Sequence, residues 1–197
     1  MSPRRLRWHA VALVSLALAH ALGTAADSSR PAALPVIGAA PAFVLPSSRG
    51  PRISLGELRG KVVAVTFVFT TCTDSCPLLT AKLADVSRAL GADFGAHVAF
   101  VAISVDPLND TPQRLQNYAV AHRADVPGWY FLTGAPGDID AVLRAYGAYA
   151  KKTESGSVDH LFLTSLVDRR GRLRVQYLGT RFDAGELQRD LQALVRE

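Results

Sequence analysis

The sequence predicts an α/β fold in which a central mixed sheet is flanked by helices. Three observations carry this. Val62 to Phe69 (Val-Val-Ala-Val-Thr-Phe-Val-Phe) is an unbroken β-branched and aromatic run, the pattern of a parallel strand buried on both faces. Strand and helix patterns alternate after it. A hairpin and a last helix close the chain, so parallel and antiparallel pairs must share one sheet. With 197 residues, of which 49% are hydrophobic, the chain is long enough for one cored domain.

The elements follow in order. After the first strand, Leu79, Leu83, Val86 and Leu90 recur on one helical face. Pro77 suits that helix's first turn and Gly91 its end. His97 to Val105 reads as a second buried strand. Thr111-Pro112 is an N-cap followed by an N1 proline, opening a helix to about His122. Tyr130 to Thr133 is a short strand, and Ile139, Val142, Leu143 and Tyr146 mark another helical face. Leu161 to Val167 and Leu173 to Leu178 flank Asp168-Arg169-Arg170-Gly171, which reads as a hairpin turn. Asp183 with Glu186 forms a capping-box pattern before Leu187, Leu191 and Leu194.

Residues 1–26 read as an export signal. Arg4, Arg5 and Arg7 precede an apolar run from Ala10 to Leu22, and small residues follow to Ala26. The run is about 13 residues, short of the ~20 that a bilayer span needs, although retention as an N-terminal anchor is the alternative. Either way the body lies outside the cytoplasm, in the periplasm or on the outer face of the membrane, where disulfides persist. Residues 27–40 read as a proline-bearing linker, and 41–197 as the folded domain. The formal charge is +5, but Arg4, Arg5 and Arg7 supply three of those charges without a single acid to offset them. The remainder is close to neutral, so no nucleic-acid partner is expected.

The two cysteines lie within one segment, Thr71-Cys72-Thr73-Asp74-Ser75-Cys76-Pro77, between the first strand and its helix. A disulfide across so short a loop restrains the unfolded chain by only ~2 kcal/mol, a small gain for a domain with its own core. The location favours chemistry instead: open α/β sheets place their sites at the carboxyl ends of strands. A helix N-terminus also favours a thiolate. Asp74 between the thiols disfavours adjacent thiolates but complements a bound cation. Structural zinc would need four protein ligands. Two thiolates and one imidazole suit copper, since soft sulfur selects Cu(I) and imidazole also serves Cu(II). The candidate imidazoles are His97, His122 and His160. His97 enters a strand and His122 extends a helix face, whereas His160 follows the polar loop 151–159, expected to be mobile until metal binds.

These residues resemble a known family. Phe67 to Pro77 (Phe-Val-Phe-Thr-Thr-Cys-Thr-Asp-Ser-Cys-Pro) looks like the copper-site motif of the SCO/SenC family. Ile103-Ser104-Val105-Asp106-Pro107, with Asp110-Thr111-Pro112 and Tyr118, is similar to its second block. Trp129 to Gly134 resembles the third, and Val158-Asp159-His160 the histidine block. The resemblance spans roughly residues 36–196. It implies a thioredoxin-like (redoxin) domain that binds one copper ion, as Cu(I) or Cu(II), and helps assemble the copper A centre of cytochrome c oxidase. Carried over, the ligands are Cys72, Cys76 and His160, with Asp74 and Asp159 beside them. The implied partners are the copper A-bearing oxidase subunit, a copper donor protein and a thiol reductant, for a membrane-proximal protein. Thr73 stands where the family often has proline, and Asp168-Arg169 lacks the usual Asp-Pro pair.

The alternative function is a thiol-disulfide oxidoreductase or a thiol peroxidase. The first resembles proteins with a proline before the terminal hairpin, and this chain has none after Pro136. The second expects proline at the position of Phe69.

Overall fold

The structure is a computed structural model that describes residues 33–153 and 158–197. The segment read as an export signal, and part of the loop before His160, lie outside the described residues. The sheet and the core fall within Leu34–Glu197, which forms a compact unit.

Three short strands come first: β1 (Gly38–Ala39), β2 (Val44–Pro46) and β3 (Arg52–Ser54). β4 (Val62–Val68) is formed by the β-branched and aromatic run, and all seven of its residues are buried. α1 (Ser75–Leu90) and the single irregular turn α2 (Asp93–Ala96) lead to β5 (Val98–Ser104), also wholly buried. Then come α3 (Pro112–Ala121), β6 (Trp129–Leu132) and α4 (Pro136–Tyr146). β7 (Ala150–Lys152), β8 (Val158–His160), β9 (Leu163–Val167), β10 (Arg172–Leu178) and α5 (Ala184–Arg196) complete the chain.

The main sheet has the order β1-β10-β9-β4-β5-β6. β5 runs parallel to β4 and β6 parallel to β5, whereas β9, β10 and β1 pair antiparallel. This mixed sheet is the one the β-α alternation and terminal hairpin predict. Helix-facing aromatic residues fill its core: Phe67, Phe100, Trp129 and Phe131 are all under 2% or at 2% exposed. α1 buries Leu79, Leu83, Val86 and Leu90, each contributing about 1.5–3 kcal/mol by the usual area relation. Gly91 ends that helix with φ at +56°. Thr111 Oγ1 accepts the Arg114 backbone N–H at 3.2 Å, as expected of the cap of α3, and Asp183 Oδ1 accepts that of Glu186 at 2.7 Å.

Two stretches depart from the sequence reading. The linker read over residues 27–40 contributes an edge strand, with Gly38 opposite Leu173 and Ala39 opposite Arg172. Proline disfavours central strands, but the residues that pair here are not prolines and lie on an edge. The loop read before His160 is in part a hairpin, in which β8 pairs antiparallel with β7 and Ala150 faces His160. The next strand accordingly starts at Leu163 rather than Leu161.

Because β4, β5 and β6 are parallel, their carboxyl ends share one end of the sheet. The cysteine segment and the 105–111 connection emerge there. The β9–β10 turn at Asp168–Gly171 lies at the other end, since Val167 pairs with Val63 near the start of β4.

Candidate metal centre

The site is built where β4 hands over to α1. Cys72 donates its backbone N–H to the Phe69 carbonyl at 3.3 Å, which curls the chain back after the strand. α1 begins at Ser75, so Cys76 sits in its first turn with no exposed surface, while Cys72 is half-buried. The first amides of a helix lack intrahelical acceptors. Here the Cys76 N–H donates to Cys72 Sγ at 3.3 Å, and Asp74, at the N-cap position, makes no side-chain capping bond. A sulfur therefore takes the place a capping carboxylate would have. The helix N-terminus acts on Cys72 through this contact.

His160 closes the site from β8. It is 5% exposed, and its Nε2 lies 3.8 Å from Cys76 Sγ. Phe69 meets the imidazole edge-on at 5.5 Å between centroids, and Phe162 packs against it at 4.1 Å. Nδ1 is buried without a hydrogen-bond partner among the described residues. Burial pushes the imidazole pKa down to about 4, against the Leu161 backbone and the Asp159 carboxylate, which raise it. A neutral ring at ordinary pH is the form that ligates metal.

Burial likewise drives the Cys76 thiol far above its ordinary range, with Cys72 and Asp110 reinforcing the shift and the Phe69 backbone opposing it. This reverses the expectation that the helix terminus makes Cys76 a thiolate. The dipole effect is worth at most about 2 kcal/mol, whereas complete burial without a countercharge costs more.

Asp74 and Asp159 are both exposed. Asp74 lines a concavity of about 190 Å³ with Cys72, Phe69, Val158 and Phe162. Asp159, between two buried residues of β8, stands opposite Lys151 on the outer side of the hairpin. His97 and His122 do not join the cysteines. His97 is exposed, and its carbonyl accepts the Val62 N–H at the far end of β4. His122 caps α3 and packs on Tyr118 at 4.3 Å. Among the described residues no three His, Cys, Asp or Glu side chains converge as a closed metal cage. What the fold brings together is one buried thiol and one neutral imidazole, with the second thiol on the adjoining turn.

A neighbouring group belongs to the second sequence block, which does not tell its structural role. Asp110 is fully buried, and its carboxylate accepts the Thr70 backbone N–H (3.2 Å), the Thr70 hydroxyl (2.5 Å) and the Ser104 hydroxyl (2.6 Å). Burial raises its pKa, and these three donors hold it down in part. It thus ties the 105–111 connection to the chain two residues before Cys72. Tyr118 completes the surroundings, its hydroxyl 2.9 Å from Thr80 Oγ1 on α1.

The sequence matches the SCO1/SenC family model over residues 36–196. The chain belongs to the SCO1/SenC family. The SCO1 protein homolog of Bacillus subtilis (strain 168) is 33% identical over 140 residues, covering 70% of this chain and 72% of that protein. Among solved structures, copper-bound ScoI of Arabidopsis thaliana superposes with a TM-score of 0.71 at 31% identity, covering 80% of this chain and 99% of that one. BsSco, a member of the Sco family of cytochrome c oxidase assembly proteins in which a disulfide switch was identified, gives 0.72 at 28% identity, covering 83% and 97%. This SCO1/SenC domain therefore has the thioredoxin-like fold that the four sequence blocks imply.

Proposed function

We propose that this SCO1/SenC protein binds one copper ion through Cys72, Cys76 and His160 and serves assembly of the copper A centre of cytochrome c oxidase, outside the cytoplasm. The 3.8 Å approach of His160 Nε2 to Cys76 Sγ, across 84 residues of chain, carries this reading. A buried imidazole held neutral and aimed at a thiol from the neighbouring helix has no structural need to be there. Copper bound in the Arabidopsis relative supports the choice of metal. The chemistry agrees: two thiolates hold Cu(I), and the imidazole adds a donor that Cu(II) also accepts. Copper is cargo here, taken from a donor protein and passed to the copper A-bearing subunit.

Each residue has a role in that cycle. Cys72, half-buried at the mouth, meets incoming copper, and Cys76 receives it at the base with loss of the thiol proton. His160 supplies the third donor without first losing a proton. Asp74 and Asp159 place negative charge around a cation entering the concavity. A Cys72–Cys76 disulfide has no thiolate to offer, so loading requires the reduced dithiol and a reductant. The disulfide switch identified in BsSco agrees with such gating.

Copper titration of the reduced protein lacking residues 1–26 tests the assignment. One copper per chain is expected, with binding collapsing in Cys72→Ser and in Cys76→Ser. His160→Ala should weaken Cu(II) far more than Cu(I). Unchanged stoichiometry and affinity after removal of either cysteine refutes it, and vigorous insulin or peroxide reduction would favour the oxidoreductase alternative.

A further inference from the structure

The end of the sheet remote from the cysteines carries a concentration of arginines that copper chemistry does not use. The Asp168–Gly171 turn, Gly60 and the last turn of α5 surround a concavity of about 370 Å³, lined also by Arg169, Arg170 and Arg172. The Arg59 guanidinium lies over Gly171 and donates to the Arg170 carbonyl at 3.3 Å. Arg169 Nε donates to the Gly60 carbonyl at 3.0 Å.

The acids at this concavity are already neutralised. Asp168 is paired with Arg172 at 2.7 Å and Arg174 at 3.0 Å, and Glu197 with Arg174 at 2.6 Å. Arg59, Arg169 and Arg170 are exposed, and among the described residues none of the three pairs with a carboxylate. The Arg59 and Arg169 side chains bond to backbone carbonyls alone, so Arg169 and Arg170 at the hollow, with Arg59 beside them over Gly171, are three uncompensated positive charges on one end of the domain.

The chain enters the domain at this same end. Arg174, 2% exposed, donates to the carbonyls of Leu34 and Pro35 and so pins the start of the domain beside the arginines. Only eleven residues, 23–33, separate Leu34 from Leu22, where the apolar run stops. Fully extended, they reach roughly 40 Å at most. If the apolar run rests in a bilayer, the tether bounds the distance of this end from it to that reach.

We propose that this arginine-bearing end is a docking surface for the anionic phospholipid headgroups of a bilayer, which turns the cysteine loop away from the membrane. Guanidinium groups bond phosphate in pairs and retain their charge at any relevant pH. Near an anionic surface, each basic residue raises partitioning by about fivefold. Three together raise it on the order of a hundredfold. The proposal rests on the extracytoplasmic, membrane-proximal reading of the N-terminus and is independent of the copper ligands.

Vesicle co-sedimentation of the chain starting at Asp27 tests it, since that chain keeps the whole of the compact unit and lacks the apolar run. Binding to phosphatidylcholine vesicles containing phosphatidylglycerol is expected, with little binding to phosphatidylcholine alone and release at high salt. Arg59→Gln/Arg169→Gln/Arg170→Gln should lower partitioning on the order of a hundredfold. Arg114→Gln/Arg181→Gln, at the cysteine end, should leave it unchanged. Thermal melting and copper stoichiometry, expected unchanged in both variants, show that the fold is intact; should the triple variant melt early, Arg59→Gln alone is expected to lose about fivefold. Equal binding to both vesicles, full binding by the Arg59/Arg169/Arg170 variant, or loss of binding to millimolar inorganic phosphate at constant ionic strength would overturn the proposal. Failure here with copper binding intact would sink the surface alone. Fractionation of the full chain tests the export reading separately.

Discussion

Arg174 is the residue whose removal the structure prices most fully. Its guanidinium donates to Asp168 Oδ2 at 3.0 Å, to both Glu197 oxygens at 2.6 and 2.9 Å, to the Pro35 carbonyl at 3.0 Å and to the Leu34 carbonyl. Breaking a buried ion pair by deleting one partner costs about 3–5 kcal/mol when the other charge is stranded. Asp168, 4% exposed, is not stranded in Arg174→Met. It keeps the backbone N–H groups of Arg170 and Arg172 at 3.0 and 2.9 Å and Arg172 Nε at 2.7 Å. Glu197 is exposed enough to rehydrate, and the Met side chain replaces the apolar stem. The loss is then chiefly one buried charge-assisted bond and the two tether carbonyls, about 2–3 kcal/mol. For a domain of this size that lowers Tm by roughly 5–10 °C. Circular dichroism melting of the chain from Asp27 at neutral pH measures it. Acid should narrow the difference. Burial raises the Asp168 pKa, but the Arg172 and Arg174 donors outweigh it and hold the group below the ordinary carboxylate range. A depressed folded-state pKa stabilises above the unfolded value and is lost as pH falls below it, so the gap should shrink below about pH 4. A fall in Tm of under about 2 °C at neutral pH would mean that Arg174 does not anchor the start and end of the domain.

Three further outcomes are expected. Gly128→Ala should cost about 2–4 kcal/mol in chemical denaturation, because a Cβ there would lie 2.6 Å from the Gly95 Cα and the backbone has φ at +92°; a neutral substitution contradicts the close backbone contact. Asp110→Ala strands the Thr70 N–H and two hydroxyls, so about 1–3 kcal/mol of stability and some copper affinity should be lost, with Asp110→Asn recovering part of both. Copper affinity should climb with pH, by up to tenfold per unit for each thiol proton displaced, because burial keeps Cys76 protonated in the metal-free protein; a flat profile between mildly acid and neutral pH would count against Cys76 as a ligand.

Much of this molecule is legible in its sequence, for reasons that differ by element. β4 and β5 announce themselves because strands buried on both faces are almost wholly apolar, with only Thr66 and Ser104 polar among their residues. α1, α3 and α5 do so because apolar spacing and capping chemistry agree. The two cysteines are equally plain, since nothing in a domain with this core calls for so short a staple. The β7–β8 hairpin is hidden because its strands are three residues each and its sequence is polar, so only the burial of Val158 and His160 reveals it. β1 is hidden by its length and by neighbouring prolines. Asp110 is legible as part of the second family block, but its structural role is not, because the Asp-Thr-Pro context is already explained by the cap of α3. Its burial depends on Thr70, 40 residues away. The thiol state of Cys76 escapes for a similar reason: helix position is a sequence property, and depth of burial is not.

X-ray absorption at the copper edge of the reduced, Cu(I)-loaded protein reads the ligand set itself. One copper per chain is expected, with two sulfur neighbours and one imidazole nitrogen. His160→Ala should remove the imidazole scattering and keep both sulfurs, and Cys76→Ser should remove one sulfur. A copper shell of oxygen and nitrogen donors without sulfur, or one unchanged by either substitution, would contradict this ligand set.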